Sequence, residues 1–356
     1  MTVRSILFML LVLEPSAGWT GTGTGAAPAG PLKPFVLVAI GDVMLGWHYD
    51  EAFKAGADPF RNLAPVLRGA DMAVANLEGP LTARGRAVAG KRFIFRVPVE
   101  RARRLPLAGI SVVGLANNHI MDYGAIGLAD TVAALQGAGV AFCGAGVNEA
   151  AARRPAYVSP KGTRVAVLAY NWTWPASFQA TARKPGTAAA NPAWVTRDVR
   201  RARAECPVVV VLFHWGQEKS HSLRDYQRGF SRAAVEAGAS LVIGAHPHVA
   251  QGVERIGNAV VAHSIGDAVF GGARRRDEDS LILRAAFAET GLARVEFLAL
   301  ETSNLGTDYA PRIRTGADAR KVLNLVRKLS KDLGCALAEG KTAEGWPCLV
   351  LDLPAP

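Results

Sequence analysis

The sequence predicts an α/β fold whose sheets are mixed and whose helices lie outside, and two features of the chain carry that expectation. Short, wholly apolar runs alternate with helix-like stretches through the first two thirds, which is how buried strands with crossover helices read. Beyond about residue 250 the apolar runs follow one another with short connections, so antiparallel strands join the parallel ones.

Taken in order, Phe35 to Ile40 is a short apolar strand that ends at Gly41-Asp42. Asp58 to Leu67 follows as a helix with Pro59 in its first turn, and Met72 to Ala75 is a strand that ends at Asn76-Leu77-Glu78. Ile110 to Leu115 runs into Asn117-Asn118-His119, with a helix from Gly124 to Leu135 behind it. Arg164 to Tyr170 and Val208 to Phe213 are further strands, the second leading into His214-Trp215-Gly216, and Trp172 to Asn191 between them reads as a long loop. A helix from Arg224 to Ala237 precedes the strand Ser240 to Ile243, which delivers Gly244-Ala245-His246-Pro247-His248. Val253 to Arg255, Val260 to Ser264, Leu281 to Phe287 and Arg294 to Leu300 are consecutive strands, and Ala317 to Leu333 is a terminal helix.

The first residues stand apart. Arg4, the apolar run Ile6 to Leu13 and the small residues Ser16 and Ala17 read as a signal peptide over 1–17, or an anchor held through 6–13 if it is not cleaved. Residues 18–34 are rich in Gly, Thr, Ala and Pro and read as a flexible linker. The rest, 35–356, reads as a single domain with a helical extension from about 312. Export to the periplasm or cell surface makes a disulfide between Cys335 and Cys348 a possibility, while Cys143 and Cys206 sit in apolar contexts as buried thiols. The charge of +11 includes a local excess in which Arg84, Arg86, Lys91, Arg92, Arg96, Arg101, Arg103 and Arg104 face Glu100 alone. Such a face suits an anionic substrate, polymer or membrane, or is a solvated surface of an Arg-rich chain. Export and the lack of a recognition motif argue against nucleic acid.

The chemistry gathers at strand ends. Asp42, Glu78, Asn118, His119, His214, His246 and His248 each sit at or just past the C-terminal end of an apolar run, the sheet edge where open α/β folds bind ligands. In the His-x-His pair, extended geometry would aim both imidazoles the same way, with Gly244 turning the backbone and Pro247 fixing the segment. Carboxylate, amide and imidazole favour one or two ions of Mn, Fe or Zn. The expected split has Glu78 bridging, Asp42 and His248 on one ion, and Asn118, His214 and His246 on the other. Two ions about 3.5–4 Å apart clamp a phosphate and acidify a water. His119, oriented by Asp122, either protonates the leaving oxygen or serves as a neighbouring support.

The strings Gly41-Asp42-Val43-Met44-Leu45-Gly46, Asn76-Leu77-Glu78, Ala116-Asn117-Asn118-His119 with Asp122-Tyr123-Gly124, His214-Trp215-Gly216-Gln217-Glu218 and Gly244-Ala245-His246-Pro247-His248-Val249 together resemble the CapA capsule-synthesis family. The resemblance runs from about Phe35 to Phe270. It implies a metallophosphatase-like, four-layer α/β/β/α sandwich of two mixed sheets and a place in poly-γ-glutamate or capsule synthesis. Two roles follow from it: a metal-dependent hydrolase of phosphoesterase type, or a non-catalytic accessory subunit that guides an anionic polymer beside a membrane-bound synthase complex. Met44 stands where the wider phosphoesterase pattern has a histidine, and Glu78 where it has an aspartate. The first motif, which usually ends in Gly-Arg, here continues Gly46-Trp47-His48, and His263-Ser264-Ile265-Gly266-Asp267-Ala268 replaces Tyr-Ser-Leu-Gly-Asn-Phe. His48, Asn117, His263 and Asp267 are therefore the candidate substrate contacts.

Overall fold

Along Val208–His214 the side chains at 208, 210 and 212 enter one core and those at 209, 211 and 213 another, so a strand with period two is apolar on both faces. That pattern organises the whole chain in the computed structural model, which describes residues 32–270 and 279–354. The signal segment 1–17 and nearly all of the linker 18–34 lie outside the described residues. The first half contains β1 (Phe35–Met44), α1 (Tyr49–Lys54), α2 (Ala64–Arg68), β2 (Met72–Leu77), α3 (Arg104–Ala108), β3 (Val112–Gly114), α4 (Gly124–Gly137), β4 (Ala141–Cys143), β5 (Ala145–Gly146), α5 (Glu149–Ala152), β6 (Ala156–Val158) and β7 (Val165–Asn171). The second contains β8 (Gly186–Thr187), α6 (Pro192–Glu205), β9 (Val208–His214), α7 (Asp225–Glu236), β10 (Leu241–Ala245), β11 (Val253–Ile256), β12 (Ala259–Ala262) and β13 (Asp267–Phe270). It closes with β14 (Ser280–Ala288), β15 (Gly291–Glu301), β16 (Arg312–Ile313), α8 (Gly316–Lys331), β17 (Ala338–Lys341) and β18 (Pro347–Asp352).

Two mixed sheets result. The larger runs β17-β18-β15-β14-β1-β2-β3-β4, with β13 beside β1 and β16 beside β15; the smaller runs β11-β12-β10-β9-β7-β6. Strands β1 to β4 are mutually parallel, as are β7, β9, β10 and β12, whereas β14, β15 and β18 pair antiparallel. The sheets share one core, in which Leu37, Val74 and Val112 meet Val167, Val210 and Leu241. On the far face of the larger sheet, Val38 and Ala73 pack with Leu67, Leu105 and Leu128 of α2, α3 and α4. On the far face of the smaller, Leu168 and Val211 pack with Val199 of α6 and Phe230 of α7. This is the expected α/β/β/α sandwich.

Several expectations change. The helix expected from Asp58 begins at Ala64, because Pro65 has no amide to donate and is tolerated only in a first turn. Helix α6 went unread, although Asn191 is its N-cap, accepting from the amides of Ala193 and Trp194, with Pro192 at the first position. The expected helical extension from about 312 is α8 together with three strands, and β18 is hydrogen-bonded to β15 within the larger sheet. Helix α8 places Ala319, Val322 and Val326 in the inter-sheet core. The Cys335–Cys348 disulfide does not form: all four cysteines are free and buried, with Cys335 in the inter-sheet core and Cys348 in the core on the other side of the larger sheet. No helix among the described residues is long and apolar enough to cross a membrane.

Candidate metal centre

The parallel strands of both sheets end at the same side of the sandwich, and their ends meet. Asp42 lies inside β1, which continues past the expected end to Met44 and pairs Asp42 with Asp267 of β13. Glu78 follows β2, the Asn117–His119 turn follows β3, His214 is the last residue of β9, and His246 follows β10. Two glycines permit this convergence by close approach. A Cβ at Gly41 would lie 1.7 Å from the Gly266 carbonyl oxygen, and one at Gly244 would lie 1.8 Å from that of His263. Gly244 thus serves contact within β10, not the turn expected of it.

The histidine pair is built differently from an extended segment. His246 and His248 both take left-handed backbone conformations, with φ of 93° and 57°, a strain of about 1–3 kcal/mol each that surrounding structure must impose. Their rings are 5.9 Å apart and tilted by 48°. His246 faces His214 (Nδ1 to Nε2, 3.1 Å), and His214 Nε2 lies 2.9 Å from Asn118 Oδ1. His248 Nδ1 faces Asp267 at 2.7 Å and Asp42 at 3.4 Å. Asp42 also accepts the His246 amide at 3.1 Å, which holds the strained turn in place. Ligand atoms come together in three overlapping groups, Asp42 with His248 and Asp267, Asp42 with Glu78 and His214, and Glu218 with His246 and His248, so the groups share residues across the expected split.

Among them is Glu78. It is fully buried, 3.8 Å from His214 Nε2, 3.9 Å from His119 Nε2, and neither carboxylate oxygen has a hydrogen-bond partner among the described residues. An unpaired buried carboxylate is too costly to persist without a cation or a proton. Burial, then the negative charge of Asp42, pushes its pKa well up; burial likewise raises Asp42 to about 6. Burial works against a charge on His248, yet Asp267, Glu78 and Asp42 bring it to about 9. His214 and His246 shift the other way, kept neutral by burial and by neighbouring histidines. Neutral imidazoles facing protonatable carboxylates are the donor set that exchanges protons for a divalent cation, so the residues present fit one.

His119 stands at the edge of this cluster. Its Nδ1 is 2.6 Å from Asp122, its ring stacks on Phe95 at 3.7 Å, and Nε2 is the nitrogen turned to Glu78. Lys91, read from sequence as part of a basic surface, is turned inward: it donates to Asp122 at 2.6 Å and to the Asn118 carbonyl. Asn76 also went unread. Its amide donates to Asp42 at 2.7 Å and lies 3.3 Å from His214 Nδ1, orienting a residue from each sheet. Glu218, grouped with His246 and His248, likewise went unread. The placement of Asn76 and Glu218 inside quoted motifs was the available signal; Lys91 had none, because a buried and an exposed lysine read alike.

Of the four expected substrate contacts, only Asp267 lies in the cluster. His48 is exposed at the start of α1, apart from the buried set. Asn117 is buried and spent on the backbone, donating to the Leu77 carbonyl and accepting from the His119 and Ile120 amides, so it staples the turn that presents Asn118. His263 is wholly buried and paired with Glu254 at 3.2 Å, which leaves no face for a substrate. Asp267 joins the cluster through His248.

The family described as Bacterial capsule synthesis protein PGA_cap matches residues 36–272. The Capsule biosynthesis protein CapA of Bacillus anthracis is 28% identical over 93% of this chain and 82% of its own. The PGA biosynthesis protein CapA of Bacillus subtilis is 29% identical over 82% of this chain and 77% of its own. A Mycobacterium tuberculosis protein described as a "Probable polyglutamine synthesis accessory protein" is 30% identical over 56% of this chain and 55% of its own.

Proposed function

The chain belongs to the Bacterial capsule synthesis protein PGA_cap family, and we propose that it is an exported, metal-dependent hydrolase of phosphoesterase type that acts on an anionic substrate of capsule or poly-γ-glutamate synthesis. The observation that carries the hydrolase is His119: a buried imidazole, fixed by a buried carboxylate, with its other nitrogen turned to a carboxylate that accepts no hydrogen bond among the described residues. Holding a polymer requires no such oriented imidazole.

Asn118, His214 and His246 would hold one ion and Asp42, His248 and Asp267 a second, with Glu78 between the groups. Mn, Fe or Zn bound there would supply positive charge for the phosphoryl oxygens and an acidified water. The chain's own residues do the rest. Asn76 keeps Asp42 and His214 in register, Asn117 fixes the turn that carries Asn118, and His119, oriented by Asp122, delivers a proton to the leaving oxygen.

Metal analysis of the purified protein, paired with hydrolysis of 4-nitrophenyl phosphate, tests this reading. The protein should carry a divalent ion, the double variant His214→Ala, His246→Ala should lose both ion and activity, and His119→Ala should keep the ion while losing about 10²–10⁴-fold in rate. Full activity without metal, or none with it, would reject the hydrolase. The exposed residues Arg84, Arg86, Arg92 and Arg96 and the name of the mycobacterial relative favour the accessory role instead. In that case charge reversal of these arginines should abolish polymer binding, and the metal-ligand variants should retain it.

A further inference from the structure

We propose that Trp47 and Phe93 form the wall of a subsite for the leaving group, and that this subsite takes a ring, aryl or pyranose, joined to the phosphate. Trp47 is the residue at issue because it is bulky, 36% exposed and held at a φ of 55°, a conformation that costs a large side chain energy. The local structure enforces that placement. Gly46 packs so closely on the 93–96 segment that a Cβ there would lie 2.5 Å from the Arg96 carbonyl oxygen, and the left-handed turn at Trp47 then brings its ring edge-on to Phe95 at 4.6 Å and to Phe93 at 5.9 Å.

Phe95 connects this surface to the chemistry. Its ring also stacks on His119, and its amide donates to Asp122, the carboxylate that orients His119. A path of ring contacts therefore leads from the exposed indole to the imidazole. If His119 gives its proton to the leaving oxygen, the group attached to that oxygen lies against Phe95, Trp47 and Phe93. Aromatic faces of this kind favour a flat partner and gain little from a short aliphatic chain. Phe93 is 44% exposed with the Arg92 guanidinium 5.1 Å from its ring centre, so a cation stands beside the apolar wall, as a ring that bears an anionic phosphate requires.

This inference rests on the assignment of His119 as proton donor, so its test reads binding separately from turnover. Calorimetric titration of the metal-loaded full chain should show phenylphosphonate binding about tenfold tighter than methylphosphonate. Trp47→Gly, which suits the positive φ and so spares the turn, should bring that ratio toward one, and Trp47→Phe should restore part of it. Hydrolysis of 4-nitrophenyl phosphate, glucose 1-phosphate and glycerol phosphate then tells an aryl from a pyranose ring. Equal affinity for the two phosphonates in the wild type, an unchanged ratio in Trp47→Gly, or no binding of either would overturn the subsite. A Trp47-dependent preference without hydrolysis of any ester would keep the subsite and discard the hydrolase.

Discussion

The two sheets contribute opposite chemistry to the seam where they meet. The larger supplies the carboxylates and amides, Asp42, Asn76, Glu78, Asn118 and Asp267, on or just after β1, β2, β3 and β13. The smaller supplies three imidazoles, His214, His246 and His248, from β9 and β10. Apart, one edge would be a set of like charges raising one another's pKa values, and the other a set of imidazoles suppressing one another's protonation. Brought together they become complementary, and His248, the imidazole nearest Asp42 and Asp267, is the one driven up to about 9. The site is thus a property of the interface between sheets, and each prediction below tests whether a residue acts across that interface or within one side.

Asp42 should show the largest effect, because it touches all three histidines of the smaller sheet: Oδ2 faces the His248 ring and accepts the His246 backbone amide, while Oδ1 lies 3.9 Å from the His214 ring. Asp42→Asn should release the bound ion and reduce turnover by more than the roughly 10–100-fold typical of residues that only support a ligand. Metal content and kcat/KM measured on the same preparation check it. A variant that keeps both would assign the site to the imidazoles of the smaller sheet alone.

A substitution that touches no ligand should show the next effect. Gly144 has a φ of 94°, and a Cβ there would stand 2.7 Å from the Cβ atoms of both Ala116 and Ala169, under the Asn117–His119 turn on one side and against β7 on the other. Gly144→Ala should cost about 1–3 kcal/mol in a denaturant titration and weaken metal affinity in parallel. Gly137→Ala, where a Cβ at the end of α4 meets open space, serves as the control and should lower neither. Loss of stability with undiminished metal affinity would show that the site tolerates changes in sheet spacing.

How much of this was legible depends on what kind of feature each residue was. Asp42, Glu78, Asn118, His214, His246 and His248 were readable because each is an ionisable or amide residue closing an apolar run, and the sheet edge gathers such residues whatever the loops do. The sandwich followed from alternation giving way to consecutive strands. What sequence could not show was direction. His48, Asn117 and His263 carry the right chemistry next to the right motifs, yet one points to solvent, one into its own turn and one into the core. The left-handed turn at His246 and His248 was equally hidden, since two histidines two apart look like neighbours on an extended strand until the backbone is known.

The smallest effect should come from His263, which tests the seam from behind. It too stands on the smaller sheet's side, just after β12, but its Nε2 pairs with Glu254 and its Nδ1 is buried without a partner, the pattern of a neutral imidazole donating through Nε2. Burial holds its pKa below the ordinary 6.5, and the hydrogen bond from His263 holds Glu254 below the ordinary 4.5. For both groups the folded state binds protons less readily than the unfolded chain, so each contributes stability above its unfolded value that is lost as pH falls. The contribution of this pair to Tm should therefore drop on acidification, the histidine acting from about pH 6.5 downward and the carboxylate from about pH 4.5. His263→Gln keeps a donor for Glu254 and removes the ionising ring, so it should flatten the upper part of that drop and leave metal content as in the wild type. Loss of the ion in His263→Gln would extend the seam through the smaller sheet to Glu254. Retention of the ion with a flattened Tm profile confines the metal chemistry to imidazoles that face the carboxylates of the larger sheet.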